Sequence, residues 1–131
     1  MKAAGKSPAV TGQPLVLLRL EGAALLVLAC MIYTRSGASW WLFAILFLAP
    51  DISFLGYIGG PRLGALIYNA VHAMIAPTAL AAAGLALRQP TTVAVAIIWF
   101  AHIGFDRMLG YGLKYDAGFG FTHLGPLGKD E

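Results

Sequence analysis

Residues Leu15–Tyr33 read LVLLRLEGAALLVLACMIY, an apolar run with only two charged side chains, Arg19 and Glu21. A helix needs about 20 predominantly apolar residues to cross the hydrocarbon core of a bilayer, and this run has that length. The whole chain has the same character, since 59% of its 131 residues are hydrophobic and 11% are charged. Soluble domains usually carry about a quarter of their residues as charged ones. The composition therefore excludes a water-soluble fold and indicates an integral membrane protein.

Three further apolar runs follow, separated by short stretches rich in Gly, Pro and polar residues. We predict four transmembrane helices, at residues 15–33, 39–58, 62–87 and 91–109. Because the connections are short, consecutive helices should be antiparallel neighbours. The prediction is thus an all-α, four-helix transmembrane bundle with up-down topology. Residues 1–14 are expected to form a flexible N-terminal tail and residues 111–131 a Gly-rich cytoplasmic tail.

The distribution of positive charge predicts the orientation of the bundle. Seven of the nine Lys and Arg residues lie on the side that holds both termini, and the other two, Arg35 and Arg88, lie on the opposite side. Positively charged loops are retained in the cytoplasm, so both termini are predicted to be cytoplasmic. A net charge of +3 on so apolar a chain argues against a nucleic-acid partner. The expected partner is the lipid bilayer.

Polar side chains from all four predicted helices lie at a similar depth. Counted at about 1.5 Å per residue from the predicted cytoplasmic boundaries, they are roughly 6–15 Å inside. This layer contains Glu21, Asp51, Asn69, His72, His102 and Asp106. Residues four apart share a helix face, as His102 and Asp106 do, and as Tyr68 and His72 do. Ionisable groups within a membrane are costly and therefore indicate a functional site.

The charges of the layer do not balance. Arg19 and Arg107 supply two positive charges, whereas the three carboxylates supply three negative ones. A proton, a protonated histidine or a metal ion would neutralise the remainder. Histidine and carboxylate side chains on facing helices are ligands for Zn, Fe or Mn.

The residues of the layer suggest separate roles. We predict that the metal ligands are Asp51, His72 and His102, and that Glu21 and Asp106 are catalytic carboxylates. The surrounding polar network is expected to contain Arg19, Tyr68, Asn69, Arg107 and His123.

Three functions are compatible with this layer. The first is a metal-dependent membrane enzyme that acts on a lipid or another apolar substrate, with a metal that activates water. The second is a structural or assembly protein, in which ion pairs such as Arg19 with Asp106 or Arg107 with Glu21 hold the helices together. The third is a proton-coupled transporter or channel, for which a homo-oligomer is expected because four helices form a small pore.

Five motifs carry a resemblance to a known family. They are Arg19-Leu-Glu-Gly22, the segment Leu48–Tyr57 with its Pro50-Asp51 pair, the segment Gly60–His72, the segment His102–Tyr115, and Thr122-His-Leu-Gly125. They resemble a domain-of-unknown-function family of small bacterial integral membrane proteins, over about residues 19–125. The resemblance implies a compact four-helix protein of the bacterial inner (cytoplasmic) membrane, with several spans. It supplies no catalytic role.

Overall fold

The computed structural model describes residues 11–113, 121–122 and 125–126. Its helices are α1 (Gly12–Ser36), α2 (Trp40–Leu46), a 3₁₀ helix (Ala49–Gly59), α3 (Pro61–His72), α4 (Ile75–Ala86) and α5 (Pro90–Met108). Near the C-terminus, β1 (Phe121–Thr122) pairs antiparallel with β2 (Gly125–Pro126). Apart from this two-residue pairing the described part of the chain is helical, so the prediction of an all-helical fold is confirmed.

Three segments of the chain are long and apolar enough to cross a membrane. They are Gly12–Ser36, Trp40–Gly59 and Pro61–Ala86, and they correspond to the first three predicted spans. The fourth predicted span coincides with α5, which falls outside this group and carries His102, Asp106 and Arg107 near its end. Large apolar side chains are exposed on the spanning segments, including Ile58 at 86% and Ile75 at 80%. Such surfaces are suited to contact with lipid.

The second predicted span consists of two different helices. Pro50 has no N–H group to donate to the carbonyl of Leu46, and α2 ends at Leu46. The chain then continues as an 11-residue 3₁₀ helix, which is much longer than the usual run of 3–4 residues. Asp51 lies in the first turn of this helix, and its N–H donates to the carbonyl of Leu48 at 3.0 Å.

The third predicted span is also interrupted. Pro77 cannot donate to the carbonyl of Ala73, and Ala73 adopts an extended conformation between α3 and α4. The prediction of one continuous helix over residues 62–87 is therefore corrected to two helices that meet at residues 73–74. As a result, His72 is the last residue of α3, where main-chain carbonyls lose their helical partners.

Helix α5 lies at the centre of the fold. Most of its residues between Ala94 and Gly104 are buried, and the main core cluster combines them with Ala29 and Tyr33 of α1. Both α1 and α4 pack along α5, and α3 packs against the 3₁₀ helix. Because other helices pack on α5, His102 is buried and Asp106 and Arg107 are half-buried within the protein.

The two predicted tails differ in detail from the structure. Helix α1 begins at Gly12, so residues 12–14 are helical and do not belong to a flexible tail. The predicted C-terminal tail contains the short pairing of β1 with β2. His123 of the predicted polar network lies outside the described residues.

Candidate metal centre

Four polar side chains from three elements converge beside α5. The 3₁₀ helix provides Asp51, α3 provides His72, and α5 provides both His102 and Asp106. One ligand atom from each residue lies within 4.8 Å of the other three. We call these four residues the His/Asp cluster.

The distances within the His/Asp cluster are close to those of a tetrahedral metal site. His102 Nε2 lies 3.2 Å from Asp106 Oδ2, 3.3 Å from Asp51 Oδ1 and 3.2 Å from His72 Nε2. His72 Nε2 lies 3.6 Å from each of the two carboxylate oxygens. Four ligands placed tetrahedrally at about 2.0–2.1 Å from a zinc ion would be about 3.3–3.4 Å apart. Five of the six donor pairs are therefore close to this spacing, and all six lie within 4.8 Å.

The orientation of His72 is fixed by its own helix. Its Nδ1 lies 3.0 Å from the main-chain carbonyl of Tyr68, and a carbonyl can only accept, so Nδ1 carries the proton and donates. In the neutral ring Nε2 then has a free lone pair directed at the cluster. The ring also stacks on that of Tyr68, with centroids 3.8 Å apart and an interplanar angle of 7°, and Phe54 stacks on the other side of Tyr68. This arrangement is typical of histidines that ligate metals through Nε2.

The end of α3 is held by two donors from α5. Trp99 Nε1 donates to the carbonyl of Val71 at 2.7 Å, and an Nη of Arg107 donates to the carbonyl of His72 at 3.2 Å. These bonds satisfy carbonyls that the break at residues 73–74 leaves without helical partners. Trp99 lies one turn before His102 on α5, and this spacing is the only signal in the sequence that places it near the site.

His102 is the most buried member of the cluster, with a side-chain exposure of 1%. The ring of Phe47 meets it edge to face, with centroids 5.5 Å apart. Its Nδ1 is buried and has no hydrogen-bond partner among the described residues, so no main-chain carbonyl fixes the tautomer of His102 as that of Tyr68 fixes the tautomer of His72.

The cluster brings like charges and lone pairs together. Two carboxylates and the Nε2 lone pair of His72 point at one small volume, and such groups repel unless a proton or a cation lies between them. A divalent cation would offset both carboxylates and would accept a lone pair from each imidazole.

Exposure differs among the four residues. The side chains of His72 and His102 are 3% and 1% exposed, that of Asp106 is 13% exposed, and that of Asp51 is 36% exposed. Asp51 therefore marks the side from which water or a ligand reaches the cluster.

The structure places the other predicted site residues around or away from the cluster. Glu21 lies on the exposed face of α1, outside the cluster, despite its similar predicted depth. Arg19 donates through Nε to the carbonyl of Met108 at 2.9 Å. Asn69 is half-buried on α3, one turn before His72. Within the described residues, neither of the ion pairs suggested by the sequence, Arg19 with Asp106 and Arg107 with Glu21, is formed.

Comparison with known families confirms the resemblance to a family of unknown function. The model of a domain of unknown function, DUF4260, matches residues 15–127. The chain belongs to this family. All four residues of the His/Asp cluster lie within the matched range. No curated protein and no solved structure matches the chain. The family description assigns no activity, so the function has to be argued from the cluster itself.

Proposed function

We propose that this DUF4260 protein is an integral membrane metalloenzyme whose divalent metal is held by the His/Asp cluster. The observation that supports the proposal is the spacing of the four donor atoms, which are 3.2–3.6 Å apart in the five measured pairs. A group of two histidines and two carboxylates inside an apolar bundle is costly without a cation. With one, the same four groups form a neutral site.

The donor set favours a transition metal. Two imidazole nitrogens with two carboxylate oxygens suit Zn, Fe and Mn, whereas Ca²⁺ and Mg²⁺ prefer oxygen ligands alone. Zinc fits the set among the three, since zinc is usually four-coordinate in proteins and three of these donors with a water would satisfy it. If the purified protein contained iron or manganese, the proposed metal site would still hold, and only the identity of the ion would differ.

The differences in burial suggest how the site would act. His72, His102 and Asp106 are the three enclosed ligands, and three protein ligands with an open fourth position are typical of catalytic zinc. A metal held there would lower the pKa of a bound water to near neutrality. Asp51, on the exposed side, is placed to accept the proton of that water. This assignment exchanges the roles that the sequence suggested for Asp51 and Asp106.

Elemental analysis of the purified protein tests the proposal. The wild type should contain stoichiometric Zn, Fe or Mn, and His72→Ala and His102→Ala should lose it. Glu21→Ala is the matched control, because it removes a carboxylate of the same predicted layer that lies outside the cluster, and it should keep the metal. Metal at background levels in the wild type would contradict the proposal. If His72→Ala then also lowers the thermal stability, the cluster is a structural network.

A further inference from the structure

An apolar groove lies next to the His/Asp cluster. Its volume is about 260 Å³, and its lining is contributed by the three parts of the chain that carry the cluster. The lining residues include Leu46, Ala49, Val71, Val95, Ile98 and Trp99. Two lining residues, Pro50 and Val71, directly precede the cluster residues Asp51 and His72 in sequence. Most are half-buried, so the groove opens at the surface of the bundle.

A cationic group lies beyond His102 along the axis of α5, and its side chain reaches the carbonyl of His72. Along α5, Val95 of the groove precedes His102 by roughly 10 Å, whereas Arg107 follows it by roughly 7 Å, at about 1.5 Å per residue. Arg107 is half-buried and uses one nitrogen to hold the carbonyl of His72, and a guanidinium has five N–H donors in all. Arg19 donates to the carbonyl of Met108 at the same end of α5.

The charge of the metal-loaded site selects the kind of ligand. A divalent metal would offset the two carboxylates of the cluster, which leaves the charge of Arg107 without a counter-charge among these groups. An anionic group next to Arg107 would complete the balance, and guanidinium groups bind carboxylates and phosphates well. The groove offers contacts to apolar atoms.

We propose that the substrate of the metal centre is an anionic amphiphile, with its apolar chain in the groove and its anionic head at Arg107. The His/Asp cluster would then lie beside the first bonds of the amphiphile after its anionic head. A lipid of the leaflet nearest Arg107 has the same order of head and chain, so it could enter from the membrane without turning over. This inference rests on the proposed metal centre and adds the class of its substrate.

Fluorescence quenching tests the proposal in full-length protein reconstituted in phosphatidylcholine nanodiscs. Trp40→Phe and Trp41→Phe leave Trp99, in the groove, as the single tryptophan. The probes are a fatty acid brominated in mid-chain and the alcohol of the same chain. The carboxylate of the acid can form a hydrogen-bonded charge pair with Arg107, which the alcohol cannot. The acid should therefore reach half-maximal quenching at a concentration about tenfold lower than the alcohol does. Equal quenching by the two probes would overturn the proposal.

Variants of Arg107 and of the groove test the two parts of the proposed binding site separately. Arg107→Gln should abolish the preference for the acid, and Arg107→Lys should retain it. Ala49→Phe fills the groove, so a few methylenes of the acid's chain can no longer be buried there. The concentration of acid that gives half-maximal quenching should therefore rise about tenfold. Ile45→Phe, at a position 71% exposed, is the matched control and should have no effect. If Ala49→Phe does not fold, Val95→Phe serves the same purpose, and no effect of either would contradict binding in the groove.

Metal content measured on the same samples separates this inference from the proposed function. Stoichiometric metal without selective quenching would overturn the amphiphile alone. Selective quenching in protein that binds no metal would overturn the metal centre and support the amphiphile site. Protein that contains no metal and shows no selective quenching would overturn both proposals.

Discussion

Gly22 and Gly104 lie against each other where α1 crosses α5, and a Cβ placed on either would be 2.8 Å from the carbonyl oxygen of the other. Real Cβ atoms do not approach an oxygen so closely, and the opposing atoms are main chain that cannot rotate away. In a membrane bundle such close approach replaces the hydrophobic drive that lipid does not provide. The contact also fixes the part of α5 that precedes Asp106.

Substitution of either glycine should therefore weaken the bundle. Gly22→Ala and Gly104→Ala should each destabilise the protein by about 1–3 kcal/mol, because the helices must separate to admit the methyl group. The thermal unfolding midpoint in detergent measures the effect. Ala24→Leu, on the exposed face of α1, adds a larger group and should leave the midpoint nearly unchanged. Glycine variants as stable as the wild type would show that the crossing is looser than described.

The two carboxylates of the His/Asp cluster should differ in their effect on metal binding. Asp106 is 13% exposed and shares α5 with His102, whereas Asp51 is 36% exposed. We expect Asp106→Asn to lower the zinc affinity more than Asp51→Asn, since a buried ligand has little water to replace it. Competition with a chromogenic chelator measures both affinities. An equal loss in the two variants would contradict the separate roles given to the two residues.

Trp99 should support the metal centre without touching it. Its indole N–H holds the carbonyl of Val71, the residue before His72. Trp99→Phe keeps the ring and removes the donor, and it should lower the zinc affinity about tenfold, in the range found for residues that orient metal ligands. Trp41→Phe is the control, because that side chain is 80% exposed. A zinc affinity equal in Trp99→Phe and wild type would restrict Trp99 to packing.

The break between α3 and α4 should also be required for the site. Pro77→Ala restores an N–H that can bond the carbonyl of Ala73, so the helix can continue through residues 73–74. His72 would then leave its position at a helix end, and zinc affinity should fall. Pro90→Ala, at the first turn of α5 where no donor is needed, is the matched control and should bind zinc as the wild type does. Unchanged affinity in Pro77→Ala would mean that other contacts suffice to place His72.

The apolar segments could be predicted from the sequence because their length follows directly from counting along a helix, and the same counting placed the four cluster residues at a similar depth. Depth alone does not tell which way a side chain faces. Glu21 and Asp51 have similar predicted depths, yet Glu21 points outward and Asp51 joins the cluster. The rotation of α1 about its axis is set by the crossing at Gly22, which depends on a partner distant in sequence.

The helix breaks were only partly predictable, because they too depend on contacts with residues distant in sequence. Pro50 and Pro77 are visible in the sequence, but prolines are tolerated within membrane helices when neighbours satisfy the freed carbonyls. Here Trp99 and Arg107 donate to the carbonyls of Val71 and His72, which the break after α3 leaves without helical partners. Whether a proline bends or ends a helix thus depends on donors from another helix, which the local sequence does not show.

The 3₁₀ helix that carries Asp51 is longer than an α-helix of the same number of residues would be. A 3₁₀ helix rises about 2.0 Å per residue and an α-helix about 1.5 Å, so rewinding the 11 residues of this segment would shorten it by about 5 Å. His102 and Asp106 are fixed on the central helix, and His72 is tied to it by hydrogen bonds. The 3₁₀ conformation therefore contributes to where Asp51 lies relative to the three enclosed ligands, although Asp51 itself is in the first turn of the segment.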